Sequence, residues 1–238
     1  GDTLCPRVVA ERLGCSRWQV DFLGASVPAG HLVSYLHRYD AHAVALACAL
    51  PMRLPYAHRM IEACRRSDGP VVVGGRGFGT DGRWARRLGV AWAPDAPSAA
   101  ELITDERALR GAAPAQLAHL ADDEYASLVR RRGELIDSAL AELRERVPAA
   151  RAYTAAQLDA TVSDLGHIVD FLAAAVYVDD PTLFTEFVEW LSGILGSRGV
   201  PTGAVVLPLE HYAAALRDFP RAARALALGC AALPATAR

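Results

Sequence analysis

The sequence predicts an α/β domain with a parallel sheet, followed by an all-helical domain. In residues 1–103, short apolar runs alternate with stretches of helical periodicity, and strands this apolar are typical of a parallel sheet covered on both faces. From about Pro114 onwards, the apolar residues recur only at helical spacing. The chain has 238 residues, 52% of them hydrophobic, which is enough for one large core or two small ones.

The elements of the first half follow one another in a regular order. The predicted strands are Arg17–Leu23, which alternates in polarity, and the apolar runs Ala43–Cys48, Val71–Val73 and Val90–Trp92. The predicted helices are one that begins at Pro28, then Leu54–Arg66, and a short one over Asp81–Leu88. Strands that alternate with helices in this way favour a parallel sheet.

A glycine turn follows the third predicted strand. Three valines lead into Gly74 and Gly75, and adjacent glycines indicate that the backbone passes close to another group. That group could be a neighbouring part of the fold or a ligand. Gly75, Gly77 and Gly79 could also cradle a phosphate, but their spacing is not that of a dinucleotide-binding loop.

The second half is predicted to contain about five helices. Thr154 and Gln157 have the spacing of a capping box in front of an apolar helical run, and Asp180 with Pro181 indicates the next helix start. Gly199 and Pro201 are predicted to end that second helix. The other predicted helices are one or two over Asp122–Arg146, one near Val205–Arg217 and one near Arg221–Leu233. The predicted domains are therefore residues 1–103 and 115–238, with a linker over residues 104–114.

Composition excludes several functions. The net charge is −2 and no basic run occurs, so no nucleic-acid partner is expected. The five cysteines are scattered without a C-x-x-C pair, so the sequence indicates no zinc site and no redox motif. This cysteine pattern favours a location in a reducing cytoplasm. No membrane span is expected, because no unbroken apolar run reaches about 18 residues. No catalytic motif is apparent, so we expect a protein that is not an enzyme.

Four strand-end turns carry a family resemblance. They are F-L-G-A-S-V-P from Phe22, A-L-A-C-A-L-P from Ala45, V-V-V-G-G-R-G-F-G from Val71 and L-G-V-A-W-A-P-D-A from Leu88. Together they resemble the cobalamin-binding domain of methionine synthase, corrinoid proteins and B12-dependent light-sensing regulators. The resemblance implies a Rossmann-like, flavodoxin-like fold whose strand-end loops hold the corrin. It also implies that the nucleotide tail enters a slot beside the glycine pair and that a first strand precedes Gly1.

The resemblance also implies a set of cobalamin-binding residues. They are Asp2, Thr3, Leu4, Leu23, Gly24, Ala47, Cys48, Ala49, Leu50, Gly74, Gly75, Arg76, Gly77 and Phe78. The chain departs from the family's D-x-H-x-x-G loop, since Leu4 stands where the cobalt-binding histidine is expected and Arg7 where the glycine is expected. No serine stands in the turn after Ala47. Three outcomes stay open: another lower ligand, retention of the cofactor's own dimethylbenzimidazole, or loss of cobalamin binding.

The second half resembles the C-terminal helical domain of actinobacterial B12-domain proteins. The segments that carry this resemblance begin at Asp180 and Ser197. Among those proteins are the photocobilins, light sensors with a globin-like domain that binds biliverdin. The resemblance implies a globin-like domain with these bilin-binding residues: Tyr153, His167, Phe171, Phe184, Phe187, Trp190 and Arg198. Arg217 is a further candidate for a propionate. The alternatives are that the phenylalanines form core, that His167 is a surface residue beside Asp164 and Asp170, and that His211 contacts a ligand.

The resemblance thus implies a light-responsive sensor with adenosylcobalamin and biliverdin as its chromophores. We expect it to signal through altered domain packing or oligomerisation, or through a downstream signalling protein. The alternatives are a corrinoid carrier, a B12-dependent regulator without bilin, a haem-binding globin-like sensor with His167 as its axial ligand, and a structural protein without B12. The sequence does not identify the residues that would bind the cobalt or another metal.

Overall fold

The chain divides into two compact units, residues 1–116 and residues 117–238. The structure is a computed structural model that describes residues 10–11, 14, 18–110, 117–197 and 203–233. The first unit is an α/β structure, and the second is helical in its described residues.

A parallel three-stranded sheet forms the centre of the first unit, as the apolar runs predict. Its strands are β1 (Val44–Ala47), β2 (Val71–Gly74) and β3 (Ala91–Ala93), in the order β1-β2-β3. Both strand pairs are parallel, with Val44 opposite Val71 and Val73 opposite Trp92. The carboxyl ends of the three strands therefore meet at one edge of the sheet.

Five helices accompany these strands in the described part of the first unit. They are α1 (Ala29–Arg38), α2 (Leu54–Arg66), α3 (Arg83–Arg87), α4 (Ala96–Thr104) and α5 (Glu106–Arg110). Helix α2 buries one side through Leu54 and Ile61, each 0% exposed. Helix α4 begins at Asp95, whose carboxylate accepts a hydrogen bond from the backbone N–H of Ser98 at 2.9 Å.

The predicted strand over Arg17–Leu23 is wrong for the residues that the structure describes. Residues 18–23 have no strand pairing, and Phe22 and Leu23 are 44% and 41% exposed. Alternating polarity alone does not make a strand, because a strand also needs a neighbour for its backbone N–H and C=O groups. In the described sheet β1 pairs only with β2.

The sheet is less evenly buried than the prediction of a sheet covered on both faces implies. The three valines of β2 are buried, whereas β1 alternates between half-buried and exposed residues. Within the predicted linker, Leu109 of α5 is 4% exposed and belongs to a core cluster with Val72 and Ala93. This part of residues 104–114 therefore packs into the first unit.

The second unit contains five long helices in its described residues. They are α6 (Glu124–Arg146), α7 (Ala155–Val178), α8 (Thr182–Ser197), α9 (Gly203–Ala215) and α10 (Pro220–Ala232). The predicted capping box is confirmed, because Thr154 and Gln157 exchange side-chain and backbone hydrogen bonds. Within the segment Asp122–Arg146, residues Glu124–Arg146 form one long helix. The predicted helix end at Gly199 and Pro201 lies outside the described residues.

Close helix packing in this unit uses two glycines. A Cβ atom on Gly229 of α10 would lie 2.9 Å from Cε1 of Phe184, which is 0% exposed on α8. A Cβ atom on Gly166 of α7 would lie 2.6 Å from Nη2 of Arg132. That arginine crosses from α6 to Asp170, with N–O distances of 2.6 and 2.9 Å.

Helix α7 is long and apolar enough to cross a membrane by length and composition. Of its most apolar window, 61% is buried inside the structure. Leu172 and Val176 are among those buried residues, at 0% and 2% exposure. Burial of this kind is typical of the central helix of a helical bundle.

Candidate functional site

The loops after β1 and β2 contact each other directly at the carboxyl edge of the sheet. The backbone N–H of Cys48 donates to the carbonyl of Gly74 at 3.0 Å, and the N–H of Gly77 donates to the carbonyl of Cys48 at 2.9 Å. Single turns of 3₁₀ helix follow both loops, over Pro51–Arg53 and Arg76–Phe78. The two loops therefore form one joined surface.

The structure identifies the group that passes close to the glycine turn. Gly75 has a φ of +98°, and a Cβ atom there would overlap the carbonyl oxygen of Cys48. A Cβ atom on Gly77 would lie 2.7 Å from Sγ and 2.8 Å from the carbonyl oxygen of the same cysteine. Gly74 is also tight, at 3.1 Å from the carbonyl oxygen of Ala93. The glycines thus allow neighbouring parts of the fold to pack together.

Cys48 is a packing group at this edge. It is 6% exposed, and its thiol donates to the carbonyl of Leu50 at 3.3 Å. Burial raises the pKa of the Cys48 thiol to about 11, because a thiolate would lose its hydration there. The thiol is therefore protonated at neutral pH and a poor nucleophile.

Exposed apolar side chains and open backbone lie beside this joined surface. Leu50 is 51% exposed, and Gly75 and Arg76 are exposed as well. In the segment before α1, Leu23 is also exposed, at 41%, and precedes Gly24, which has a φ of +87°. Single exposed apolar residues are common on protein surfaces, so the open backbone beside Leu50 is the more informative feature of this edge.

Tyr56 ties Val27, which lies just before α1, to the helix that follows the β1 loop. Its hydroxyl, in the first turn of α2, donates to the carbonyl of Val27 at 2.5 Å. Sequence reasoning missed this residue, since a lone tyrosine in a helix carries no motif. Its position just after a strand-end loop is the one signal that could have drawn attention to it.

The other predicted cobalamin residues divide into exposed, buried and undescribed ones. Ala47 and Ala49 are exposed at the edge, whereas Gly77 and Phe78 are buried, the latter at 0% exposure. Phe78 therefore packs inside the domain beneath the β2 loop and is not accessible to a ligand. The predicted residues Asp2, Thr3 and Leu4 lie outside the described residues.

A dinucleotide site is not supported at the glycine run. In such sites the glycine loop opens directly into a helix whose N-terminus faces the phosphates. Here a 3₁₀ turn and further loop residues intervene before the five-residue helix α3. The backbone of Cys48 also fills the space beside Gly75 and Gly77.

Comparison with known families agrees with the strand-end geometry. Residues 3–103 match the model of the B12 binding domain. No similar protein was found among the curated proteins with which the chain was compared. Residues 3–103 are therefore similar to a cobalamin-binding domain, and their described part forms a small parallel sheet with helices of Rossmann-like type.

The described residues fit part of a cobalamin. The flat corrin ring has apolar edges and amide arms, and exposed Leu50 with the open backbone of Gly75 at the carboxyl edge suits such a surface. Between the β1 and β2 loops, however, the chain itself fills the space beside the glycine pair. The described loops therefore offer an exposed surface that would suit the ring, and the chain itself fills the space between them.

The described histidines do not form a metal cluster. Among the described residues, no group of three or more His, Cys, Asp or Glu side chains could hold a metal ion. His58 on α2 is 9% exposed, and its Nε2 lies 3.6 Å from Oε1 of Glu62. Burial lowers the pKa of His58. His31, in the first turn of α1, is exposed.

The predicted bilin residues of the helical unit do not line one cleft. Phe184 is 0% exposed and packs on Gly229, so it is core. Phe187 is 5% exposed and stacks on Phe171, with ring centroids 3.9 Å apart. Trp190, by contrast, is 59% exposed and lies 6.1 Å from Phe187.

The remaining bilin candidates stand apart from an enclosed site. His167 is exposed, and of its two neighbouring aspartates Asp170 is bound by Arg132. Tyr153 is half-buried before α7. Arg217 is 81% exposed, and Arg198 lies outside the described residues. An exposed His167 does not suit an axial haem ligand, which a protein normally shields from water.

A serine, a histidine and a glutamate meet between α6 and α9, which the sequence did not predict. His211 lies with Nδ1 2.6 Å from Oε2 of Glu142 and Nε2 2.9 Å from Oγ of Ser138. The Ser138 hydroxyl donates its proton to the carbonyl of Leu135 at 3.1 Å, so it has none for His211 in this arrangement. The group therefore ties two helices together and is not an activated nucleophile.

A cavity of about 320 Å³ lies at the opposite edge of the sheet. It is lined by Leu36 and by residues 40–42 and 67–70, which directly precede β1 and β2. Ligands of open parallel sheets bind outside the carboxyl ends of the strands. This cavity is thus separate from the candidate cobalamin surface.

Proposed function

We propose that this chain is a light-responsive sensor that binds adenosylcobalamin on the strand-end loops of its first unit. The observation that carries the proposal is exposed Leu50 beside the open backbone of Gly75 and Arg76 at that edge. The same half of the chain matches the B12 binding domain. We further propose that the protein signals through its helical unit or its oligomeric state and has no turnover of its own.

The chain's own residues have distinct parts in this proposal. Leu50 and Leu23 would exclude water from one side of the ring, and the exposed Arg76 would meet amide oxygens or the phosphate of the cofactor. The hydrogen bonds between the Cys48 and Gly77 loops would hold this surface rigid. Adenosylcobalamin supplies a cobalt–carbon bond that light cleaves.

Binding of a bilin stays a prediction, and the negative charge of α7 and α8 argues against it. A bilin carries two propionates, and residues 152–197, which include α7 and α8, contain no lysine or arginine. The aromatic contact of Phe171 with Phe187 and the exposed Trp190 favour some apolar ligand there. Biliverdin is therefore one arm of the experiment and not part of the main proposal.

A corrinoid carrier is the alternative that the experiment must separate from a sensor. A carrier would bind cobalamin without changing state in light. The full chain is loaded in the dark with adenosylcobalamin or with hydroxocobalamin, which has no cobalt–carbon bond. A parallel sample receives biliverdin. Absorption spectra and the molar mass in solution are recorded before and after illumination.

The sensor predicts a bound adenosylcobalamin spectrum, its photolysis, and a change of molar mass or of amide hydrogen exchange in α6–α10. Hydroxocobalamin samples should show no such change on illumination. Photolysis without any change in molar mass or in hydrogen exchange of the helical unit would favour the corrinoid carrier over the sensor. If neither cobalamin is retained, the proposal fails. A bilin absorption band with biliverdin would restore the bilin prediction.

A further inference from the structure

The charges of this chain are strongly segregated. Residues 152–197 contain seven carboxylates and no lysine or arginine, whereas the whole chain has 25 basic and 27 acidic side chains. This segment forms α7, the turn after it, and α8. The two helices thus make one acidic hairpin.

Some of these carboxylates have structural partners. Asp170 binds Arg132, and Asp179 lies 3.4 Å from Arg221. Asp180 accepts a hydrogen bond from the N–H of Thr182 at the start of α8. Asp164 and Glu189, in contrast, are exposed and form no ion pair with any residue that the structure describes. Their negative charge is therefore open to another molecule.

Aromatic side chains lie beside these open charges. Asp164, His167 and Phe171 are at positions i, i+3 and i+7 of α7, so they share one side of that helix. Phe171 stacks on Phe187, and Trp190 follows one turn later on α8. Because α7 and α8 are antiparallel, His167 and Trp190 lie on the same side of that stack. We call Asp164, His167, Phe171 and Trp190 the acidic aromatic face. Glu189 flanks it, since it directly precedes Trp190 but lies about 160° around α8 from Phe187.

Two properties of this face favour a cationic apolar partner. Trp190 is 59% exposed, which is unusual for so large an apolar ring, and indole rings attract cations most strongly among the aromatic side chains. A Cβ atom on Gly193, one turn beyond Trp190, would meet nothing within 4 Å. The surface beside the indole is therefore open enough for a helix to approach.

We propose that the acidic aromatic face binds a cationic amphipathic helix of a partner protein. An arginine or lysine of the partner would lie over the Trp190 ring, with other basic side chains near Asp164 and Glu189. The apolar side of the helix would cover Phe171. Nucleic acids and anionic lipids are repelled by the same charges, and a two-fold dimer through this face would bring like charges together.

The experiment uses the full chain without cobalamin, so its result is independent of the proposed function. The probe is a synthetic peptide of about 18 residues with leucine and arginine at amphipathic helical spacing. The control peptide has glutamate in place of every arginine. Affinity is measured by isothermal titration calorimetry at two salt concentrations.

The arginine peptide should bind, and the glutamate peptide should not. Trp190→Ala should weaken binding about tenfold, because one cation–π contact is lost together with apolar area. Asp164→Asn with Glu189→Gln should weaken it further and reduce its salt dependence. Asp137→Asn, which removes an exposed carboxylate from α6, should leave binding unchanged.

Several results would overturn the proposal. If Trp190→Ala leaves the affinity for the arginine peptide unchanged, the peptide binds elsewhere on the protein. If both peptides bind equally well, charge does not determine binding. A concentration-dependent dimer that Trp190→Ala abolishes would assign the face to a second copy. Biliverdin binding that quenches Trp190, without peptide binding, would assign it to the bilin. Since Trp190 is exposed, circular dichroism should show its alanine variant folded.

Discussion

The contact between Gly75 and Cys48 makes a specific prediction for stability. Gly75→Ala forces a side chain onto a residue with a φ of +98°, which is strained by about 1–3 kcal/mol. The new Cβ also overlaps the Cys48 carbonyl oxygen, and such overpacking destabilises by about 1–3 kcal/mol. The free energy of unfolding of the first unit should therefore fall by about 2–6 kcal/mol.

Urea denaturation of the full chain, followed by circular dichroism and by hydrogen exchange of β2, measures this effect. Gly77→Ala introduces the overlap without a positive φ, so it should destabilise by about 1–3 kcal/mol only. Gly30→Ala in α1 meets nothing within 4 Å and should be neutral or stabilise by up to about 1 kcal/mol. Gly75→Ala with parental stability would refute the loop contact.

Three further predictions follow from the packing and the charges. Gly229→Ala should destabilise the helical unit by about 1 kcal/mol in urea denaturation, because overlap with Phe184 outweighs the gain in helix propensity; a stabilised variant would contradict that packing. The hydrogen bond from Arg221 lowers the pKa of the Asp122 carboxyl in the folded protein. The stability that this bond contributes is therefore present above the unfolded pKa near 4 and is lost as the pH falls below it. Arg221→Gln should reduce the loss of unfolding free energy between about pH 6 and 3, as measured by urea denaturation. Burial raises the pKa of Cys48 to about 11, so peptide mass spectrometry after iodoacetamide at about pH 8 should find it modified only in denaturant.

Local sequence patterns predicted most elements of the fold. The valine run became β2, and the capping box at Thr154 became the start of α7. Both depend on residues within a few positions of one another, which a sequence displays directly. The strand over Arg17–Leu23 failed because pairing depends on a neighbouring strand, and the sequence of the segment does not contain that information.

The close contact at the glycine pair was predictable in place and less so in detail. The glycine pair indicated a close approach, but only the structure identifies Cys48 as the neighbour. His211 meets Ser138 across 73 positions of the chain, and no spacing rule links residues so far apart. The phenylalanines at helical spacing proved to be largely core, since a stripe on a helix does not reveal what covers it.

Because glycine substitutions disturb folding, they are poor tests of cobalamin contact. Leu50 is better suited, since its side chain is 51% exposed and substitution should leave the loop packing intact. Val129 on α6 is 50% exposed and provides a matched control in the other unit.

The most direct test is the retention of adenosylcobalamin by the full chain after gel filtration in the dark. We predict about one cobalamin per chain for the parent and for Val129→Glu, and an affinity at least about tenfold weaker for Leu50→Glu. A parent protein that retains no cobalamin would contradict cobalamin binding. Equal retention by Leu50→Glu would contradict its placement on the strand-end loops.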